Sequence, residues 1–524
     1  MAPPFFQTHH RACAVVLASS KGSRLFPMTT KDNPKHLLPV AGIPSIVRLL
    51  ESLSPFSQIV ITVAEDDTKT LPTLLGNNSN ISSINNNPSS QQQSTGLFTL
   101  AANNNNSNNN NASTNTANKI YVVKLSEDCY GSVDVLRIVE ETKLIDPETR
   151  IVVFPGDLVI LKKNTGLLEP LIRPSSTEVA CTAMLVDVLE QDEHGLPLKE
   201  SAKSKKGGLS RDVEDIEYIA LSIPQSGPCW DLNNRESVLP RIVFKKSKLT
   251  VEEDDMTGST PKLVIPKTRL RGRNGKEEKL VIRTEWSDVH VYSLAPWVRQ
   301  LIVARTKNLS SIQEDLLPLL ISRQYRGKRA TFGNSGLTSL TTMTNNNEND
   351  ENNGSTKQQN SRLSKTVIDD EPYSVLAVFL PARTTLRVNT VSAYLFACKE
   401  AVANGGGSDV RMPNGSKRNG KFQTLTLEGS DLGSKINMKS STVGKSCTLG
   451  DKCRLNNVVI MDDVIIGEQC SLQNTLIGFG AKIGNNCSLN DCQVGPGMEI
   501  PSGTKAKGEP FMVGDFMEDT TSIL

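Results

Sequence analysis

The sequence predicts an α/β domain built on a parallel sheet, followed by a three-sided solenoid of stacked β coils. Two observations predict this. Apolar strand-like runs alternate with helical stretches before residue 330, and residues 424–508 repeat with a period of seventeen. A third bounds the rest: two tracts rich in Asn, Ser and Gln interrupt the chain and carry too little apolar surface to offset their ordering entropy.

The first domain, 1–330, opens with a strand at Ala14–Leu17, a loop, a helix near Ser45–Ser52 and a strand at Gln58–Val63. An insertion at 77–118, including NNNNSNNNNNAS, is expected to be disordered. The alternation resumes with a strand at Ile120–Lys124, a helix at Val133–Thr142 and a strand at Arg150–Phe154 that ends in Pro155-Gly156-Asp157. Thr177–Val186 reads as a strand, as do YIALSI, RIVF, KLVIP and VHVYSL, and a helix at Ser311–Arg323 closes the domain. Residues 331–370 read as a low-complexity linker. A bridging strand at Ser374–Leu380, a helix at Thr390–Ala403 and a Gly/Asn/Lys-rich connector fill 371–423.

The solenoid follows at 424–508, with a tail at 509–524. Leu449, Ile466, Ile483 and Ile500 lie seventeen apart, as do Leu455, Leu472 and Leu489, and Val443, Ile460, Ile477 and Val494. Each seventeen divides into six, six and five, which gives one inward aliphatic residue on every flat side of a coil. Burying each contributes roughly 1.5–3 kcal/mol, and a single coil cannot bury that face alone. Gly444, Gly450, Gly467, Gly484 and Gly495 each follow an inward residue, where glycine is expected to relieve corner crowding and permit positive φ. Cys453, Cys470 and Cys487 fall in one column of small buried side chains and lack the close pairs of zinc modules.

Composition excludes several classes. The 58 basic and 56 acidic residues leave a net charge of +2, so there is no global electrostatic footprint for nucleic acid. No apolar run approaches the ~20 residues that span a membrane, and MAPPFFQTHHRAC lacks the pattern of a secretory leader. Ten scattered cysteines fit a reducing compartment, and the cytosol is the expected location. The histidines (9, 10, 36, 194 and 290) all precede the solenoid and do not cluster at ligand spacing.

The chemistry-bearing segment is LASSKGSRLFPMTTKDNPKHLLPVAGIPSI, after the first strand. Leu17, Ala18, Gly22, Arg24, Leu25, Pro27, Thr29, Pro34, Lys35, Leu37, Leu38, Pro39 and Val40 match a consensus L-A-A-G-x-G-T-R-L-x-P-L-T followed by P-K-x-L-L-P-V. Through these residues the chain resembles the sugar-nucleotide pyrophosphorylases. The resemblance implies a nucleotidyltransferase-like, Rossmann-like domain followed by a left-handed parallel β-helix of hexapeptide repeats. It implies that the loop at Gly22 and Ser23 wraps phosphates, that Arg24 faces the leaving pyrophosphate and that Lys35 lies by the phosphates. Glycines that let backbone approach phosphates, and fixed cations that neutralise developing charge, are what such chemistry needs. Gly131-Ser132-Val133-Asp134 stands where the family touches the nucleotide, and Asp157 where it holds Mg²⁺.

The departures matter as much. Ser19, Ser20 and Ser23 replace the consensus small residue, glycine and threonine. No Glu-Lys-Pro sugar-phosphate motif stands near Phe244-Lys245-Lys246, and WSDVHVY replaces the usual Asn-x-Gly-Ile, leaving Asp288 as a candidate second carboxylate. No catalytic residue, metal or cofactor is therefore expected, and Gly22, Ser23, Arg24, Lys35, Gly131 and Asp157 read as a degenerate nucleotide site.

Within the family, TLRVNTVSAYLFAC with Arg387, Asn389, Thr390 and Tyr394, SSIQEDLLPLLISRQY, and the coil run from Asn456 resemble the gamma subunits of eukaryotic translation initiation factor 2B. That resemblance implies a non-catalytic subunit of the exchange factor that replaces GDP with GTP on translation initiation factor 2. It would pair with the epsilon subunit and assemble with the alpha, beta and delta subunits into a decamer, with no direct nucleic-acid or membrane contact. The solenoid columns would serve as core and partner interface. The alternative is an active GDP-mannose-type pyrophosphorylase that uses Mg²⁺ on Asp157. A hexapeptide-type acyltransferase is disfavoured because the coils carry no histidine base. A scaffold unrelated to translation is a further reading.

Overall fold

The computed structural model describes residues 12–20, 22–30, 33–64, 81–83, 97–100, 118–125, 131–161, 167–173, 178–187, 216–224, 239–253, 265, 278–305, 309–332, 372–405 and 410–512. Twelve strands form one mixed sheet. From edge to edge they begin at Glu278, Glu217, Arg241, Ser374, Val179, Trp286, Arg150, Ala12, Gln58, Asn118, Leu97 and Ile81. Its centre is parallel: Ala12–Leu17 pairs in parallel with Gln58–Ala64 on one side and Arg150–Pro155 on the other. These three strands are mainly apolar and largely buried on both faces, with Gln58, Thr62 and Arg150 the polar exceptions, as a helix-covered parallel sheet requires. Ser45–Ser52, Ser132–Glu141 and Pro296–Ala304 are the main covering helices.

Three expectations about the segments are corrected. The tract 77–118 contributes two short strands, Ile81–Ser83 and Leu97–Leu100, the latter pairing with Asn118–Leu125 at the sheet edge, and residues 77–80, 84–96 and 101–117 lie outside the described residues. An edge strand needs only a few backbone hydrogen bonds and a short apolar run, which Leu97-Phe98-Thr99-Leu100 supplies. The bridging strand Ser374–Leu380 does not stand apart. It inserts in the sheet between Val179–Asp187 and Arg241–Ser247, and six of its seven residues, all but Phe379, are buried. Thr331 and Phe332, placed at the start of the linker, are fully buried. The rest of that linker, KLVIP apart from Ile265, and the tail beyond 512 lie outside the described residues. Ser311–Arg323 begins with a π-helical turn, Ile312–Leu316, before the α-helix Leu317–Arg323.

The C-terminal coils form as the period requires. Three sheets of seven, five and five strands run along the solenoid, and successive coils pair in parallel seventeen residues apart. Leu449, Ile466, Ile483, Ile500, Leu455, Leu472 and Leu489 all point inward and are at most 3% exposed. The cysteine column is buried too, and the Cys453, Cys470 and Cys487 thiols donate to carbonyls of the next coil.

The glycines act by space alone. None of Gly444, Gly450, Gly467, Gly484 and Gly495 has positive φ. The left-handed positions fall two residues later, at Ser446, Lys452, Gln469, Asn486 and Gly497. A Cβ on Gly450 would stand 2.7 Å from the carbonyl carbon of Gly467 and the amide of Glu468. Both are backbone atoms of the next coil, so the coils would have to part. Gly450→Ala should therefore cost about 1–3 kcal/mol, the usual penalty for overpacking, measured by urea unfolding of the full chain. An unchanged midpoint would mean the coils separate freely.

The solenoid is not a free-standing appendage. Outward-facing Val459 and Leu476, with Met461, Leu425 and Leu427, pack on Leu25, Met28, Leu38 and Val40 of the signature loop and on Tyr394 and Ala397 of the helix Val391–Asn404. One of its three sides is thus spent on the head domain. Among the described residues no helix is long and apolar enough to cross a membrane.

Candidate functional site

The site lies where the central parallel strands end, the place open α/β sheets bind ligands. The chain leaves the first strand at Leu17 and turns into a loop at Gly22. Gly22 has φ 75°, which favours glycine, and its carbonyl accepts from the Thr29 hydroxyl at 2.9 Å. A Cβ there would also come within 3.0 Å of the Lys35 side chain, so Gly22 and Lys35 are in contact. Ser23 and Arg24 are exposed on the same loop.

Asp157 follows the strand Arg150–Pro155 and is fully buried. Lys35 Nζ donates to its Oδ2 at 2.8 Å. Arg387 donates to both oxygens, from Nε to Oδ1 at 3.2 Å and from Nη2 to Oδ2 at 3.1 Å. Local structure explains why Arg387 arrives there. The short strand Thr385–Arg387 pairs antiparallel with Leu158–Ile160, Arg387 opposite Leu158, and the Val388 amide donates to the Asp157 carbonyl at 2.9 Å. Thr390 then caps the helix Val391–Asn404 by accepting from the Ala393 amide, and Tyr394 donates to the Pro39 carbonyl. One segment therefore delivers Arg387 and clamps the signature loop.

The electrostatics follow. Burial alone would raise the Asp157 pKa, but Arg387 and Lys35 more than offset it and hold the carboxyl well below the ordinary carboxylate range. Burial and the neighbouring Lys35 charge lower His36 to about 4, so its imidazole is neutral.

A second charged cluster adjoins the first. Lys245 Nζ lies 2.6 Å from Glu217 and 3.0 Å from Asp288. Tyr292 donates its hydroxyl to Asp288 Oδ2 at 2.7 Å, and the His290 amide donates to Oδ1 at 2.7 Å. Burial opposes the charge on Lys245, and Asp288 and Glu217 outweigh it, so the ammonium is held above its ordinary range. His290 sits between the clusters. Burial is the main cause of its lowered pKa, about 3, and the next is the charge of Arg387.

These residues do not fit a divalent cation. Mg²⁺ demands oxygen ligands in near-octahedral array, yet both Asp157 oxygens already serve fixed cations. Two unit charges 4 Å apart repel by about 4 kcal/mol at an effective dielectric near 20, and a dication would face that twice over from each neighbour. Asp288 does not supply a second ligand, because Lys245, Tyr292 and His290 take its oxygens. Among the described residues no group of three or more His, Cys, Asp or Glu could hold a metal ion.

The structure brings Gly22, Lys35 and Asp157 together, with Ser23 and Arg24 on the adjoining surface. Gly131 makes its contacts elsewhere. A Cβ on it would meet the Ser310 carbonyl and hydroxyl at 2.2 Å. The Val133 amide donates to the Ser310 carbonyl at 2.8 Å and the Ser132 hydroxyl accepts from the Ile312 amide at 2.8 Å. At the start of that helix, where amides could hold a phosphate, the Val133 amide and the Ser132 hydroxyl are thus committed to the segment at 310–312. Sequence reasoning missed Glu217, Tyr292 and the role of Arg387. A signal existed for the second cluster: Lys245 follows the apolar run Ile242-Val243-Phe244, and Asp288 lies beside the alternating apolar residues Val289 and Val291.

Comparison with known proteins agrees with the two-part architecture. Residues 13–197 match the family model described as nucleotidyl transferase, and residues 431–507 match the one described as GMPPB C-terminal domain. No curated protein matches the chain. The chain thus carries a nucleotidyltransferase domain joined to a C-terminal domain of GDP-mannose pyrophosphorylase type.

Proposed function

We propose that this chain is a non-catalytic member of the nucleotidyltransferase group that acts as an assembly and regulatory subunit. One observation carries the reading: the carboxylate that would receive the metal is closed by Lys35 and Arg387. Phosphoryl chemistry relies on cations placed to neutralise charge that develops in the reaction. Here the two cations are already neutralised by an internal carboxylate. The residue that completes this closure belongs to the segment TLRVNTVSAYLFAC, the same one that resembles the gamma subunits of translation initiation factor 2B. The reading therefore extends to a gamma-type subunit that pairs with an epsilon subunit, assembles with alpha, beta and delta subunits, and contributes to exchange of GDP for GTP on initiation factor 2 in the cytosol.

A second reading has a specific observation in its favour. The match of residues 431–507 to the GMPPB C-terminal domain is what an active GDP-mannose-type pyrophosphorylase would have. The two are separated by capture of partners from cell extract, with mass spectrometry, using the tagged full chain. The subunit reading expects the four other exchange-factor subunits in stoichiometric amounts. Recovery of none of them, from an extract in which they assemble with one another, would overturn it.

A further inference from the structure

The solenoid has three sides, and their surfaces differ. One is spent on the head domain. The second carries Asp431, Thr448, Ile465, Lys482 and Glu499 outward, a mixed set in which Lys482 and Glu499 pair at 2.7 Å. The third is built by Asn437–Lys439, Arg454–Asn456, Ser471–Gln473, Ser488–Asn490 and Lys505–Lys507. The middle residue of each strand points inward, so the outward residues form two columns. Asn437, Arg454, Ser471, Ser488 and Lys505 make one; Lys439, Asn456, Gln473, Asn490 and Lys507 make the other.

None of these positions is acidic, and Lys439, Arg454, Lys505 and Lys507 are cationic and exposed. Among the described residues no ion pair involves any of the four. The cations stand at the two ends of the face, with neutral amide and hydroxyl side chains between them. Coils stack about 4.8 Å apart, so Lys439 and Lys507, four coils apart, are separated by roughly 19 Å along the axis.

We propose that this side of the solenoid is a docking surface for an acidic segment of another protein. Charge complementarity selects the occupant: unpaired cations at both ends call for carboxylates at both ends. A segment of about 13 residues in a helix, at 1.5 Å per residue, spans the distance. The central Asn456, Ser471, Gln473 and Ser488 offer hydrogen bonds without a charge requirement. Nucleic acid is the poorer fit. The face has no aromatic side chain on which bases could stack, and its four cations fall below the 6–10 phosphate contacts of a typical binder. The proposal is independent of the catalytic standing of the head domain.

The test uses the full chain and a fluorescent 13-residue peptide with glutamates clustered at both ends, titrated by anisotropy at low and moderate salt. The combined variant Lys439→Glu, Arg454→Glu, Lys505→Glu and Lys507→Glu should weaken binding about tenfold or more, and the corresponding glutamine variant should fall between it and the parent. All four side chains are exposed, so the melting curve should be unchanged. Equal affinity in parent and glutamate variant would overturn the proposal. So would tighter binding of a single-stranded RNA oligomer than of the peptide. If removal of 513–524, which contains Asp515, Glu518 and Asp519, raises peptide affinity about tenfold, the occupant is the chain's own tail and an external partner is ruled out.

Discussion

Asp157→Asn should destabilise the head domain by roughly 3–5 kcal/mol, the cost of leaving buried charges without their partner. Asp157 has no exposed surface, and its neighbours Lys35 and Arg387 are at most 18% exposed as side chains. Removing the carboxylate charge leaves two cations facing each other with a neutral amide between them. The effect should spread further than a point defect, because Arg387 and Val388 tie Asp157 to the segment that clamps the signature loop against the solenoid. Urea unfolding at pH 7 measures it. The same carboxylate sets an acid limit. Its folded pKa lies below its unfolded value of about 3.9. Its contribution is therefore complete at pH values above the ordinary carboxylate range, and is lost as the pH falls from there toward the lower folded value. The parent chain should lose stability over that acid window, and Asp157→Asn should show a smaller loss. Identical acid profiles would mean that Asp157 is not held as described.

Ile483→Asp should be comparably severe in the solenoid. Ile483 is 2% exposed and stacks between Ile466 and Ile500 in the inward column. The substitution removes an aliphatic group and buries a charge that finds no cation among Leu472, Leu489, Ile477 and Val494 of the same core. Loss of a buried aliphatic alone costs about 2–5 kcal/mol, and the unpaired charge adds to it. Neighbouring coils hold each other, so unfolding should propagate along the solenoid and expose the loop packed beneath it. Ile483→Val, which keeps the shape, should cost only about 0.5–1.5 kcal/mol. Protease digestion with mass mapping would follow the loss coil by coil. Ile483→Asp coils as resistant as the parent would contradict the inward placement.

The solenoid was legible because its period is local: each coil repeats the constraint of the one before, and seventeen-residue spacing fixes which side chains meet. The parallel centre of the head domain was legible for a similar reason, since Val15, Val152 and Ile61 lie in short, wholly apolar runs. Lys35 and Asp157 were found through family motif and strand end. Arg387 was visible only as a point of resemblance, because its contact with Asp157 spans 230 residues and crosses a low-complexity tract. The same distance hid the strand Ser374–Leu380, whose neighbours come from residues 179–187 and 241. The corner glycines crowd the next coil as their spacing predicts but none takes positive φ, since sequence alone does not separate the two demands.

Arg387 reaches both oxygens of Asp157, where a divalent cation would have to bind. Thermal unfolding with increasing Mg²⁺ or Mn²⁺ tests it most directly, in the parent and in Arg387→Asp. The parent should show no saturable shift, and the variant, in which a second carboxylate joins Asp157, a saturable rise in melting temperature. Saturable stabilisation of the parent by Mg²⁺, abolished by Asp157→Asn, would contradict it.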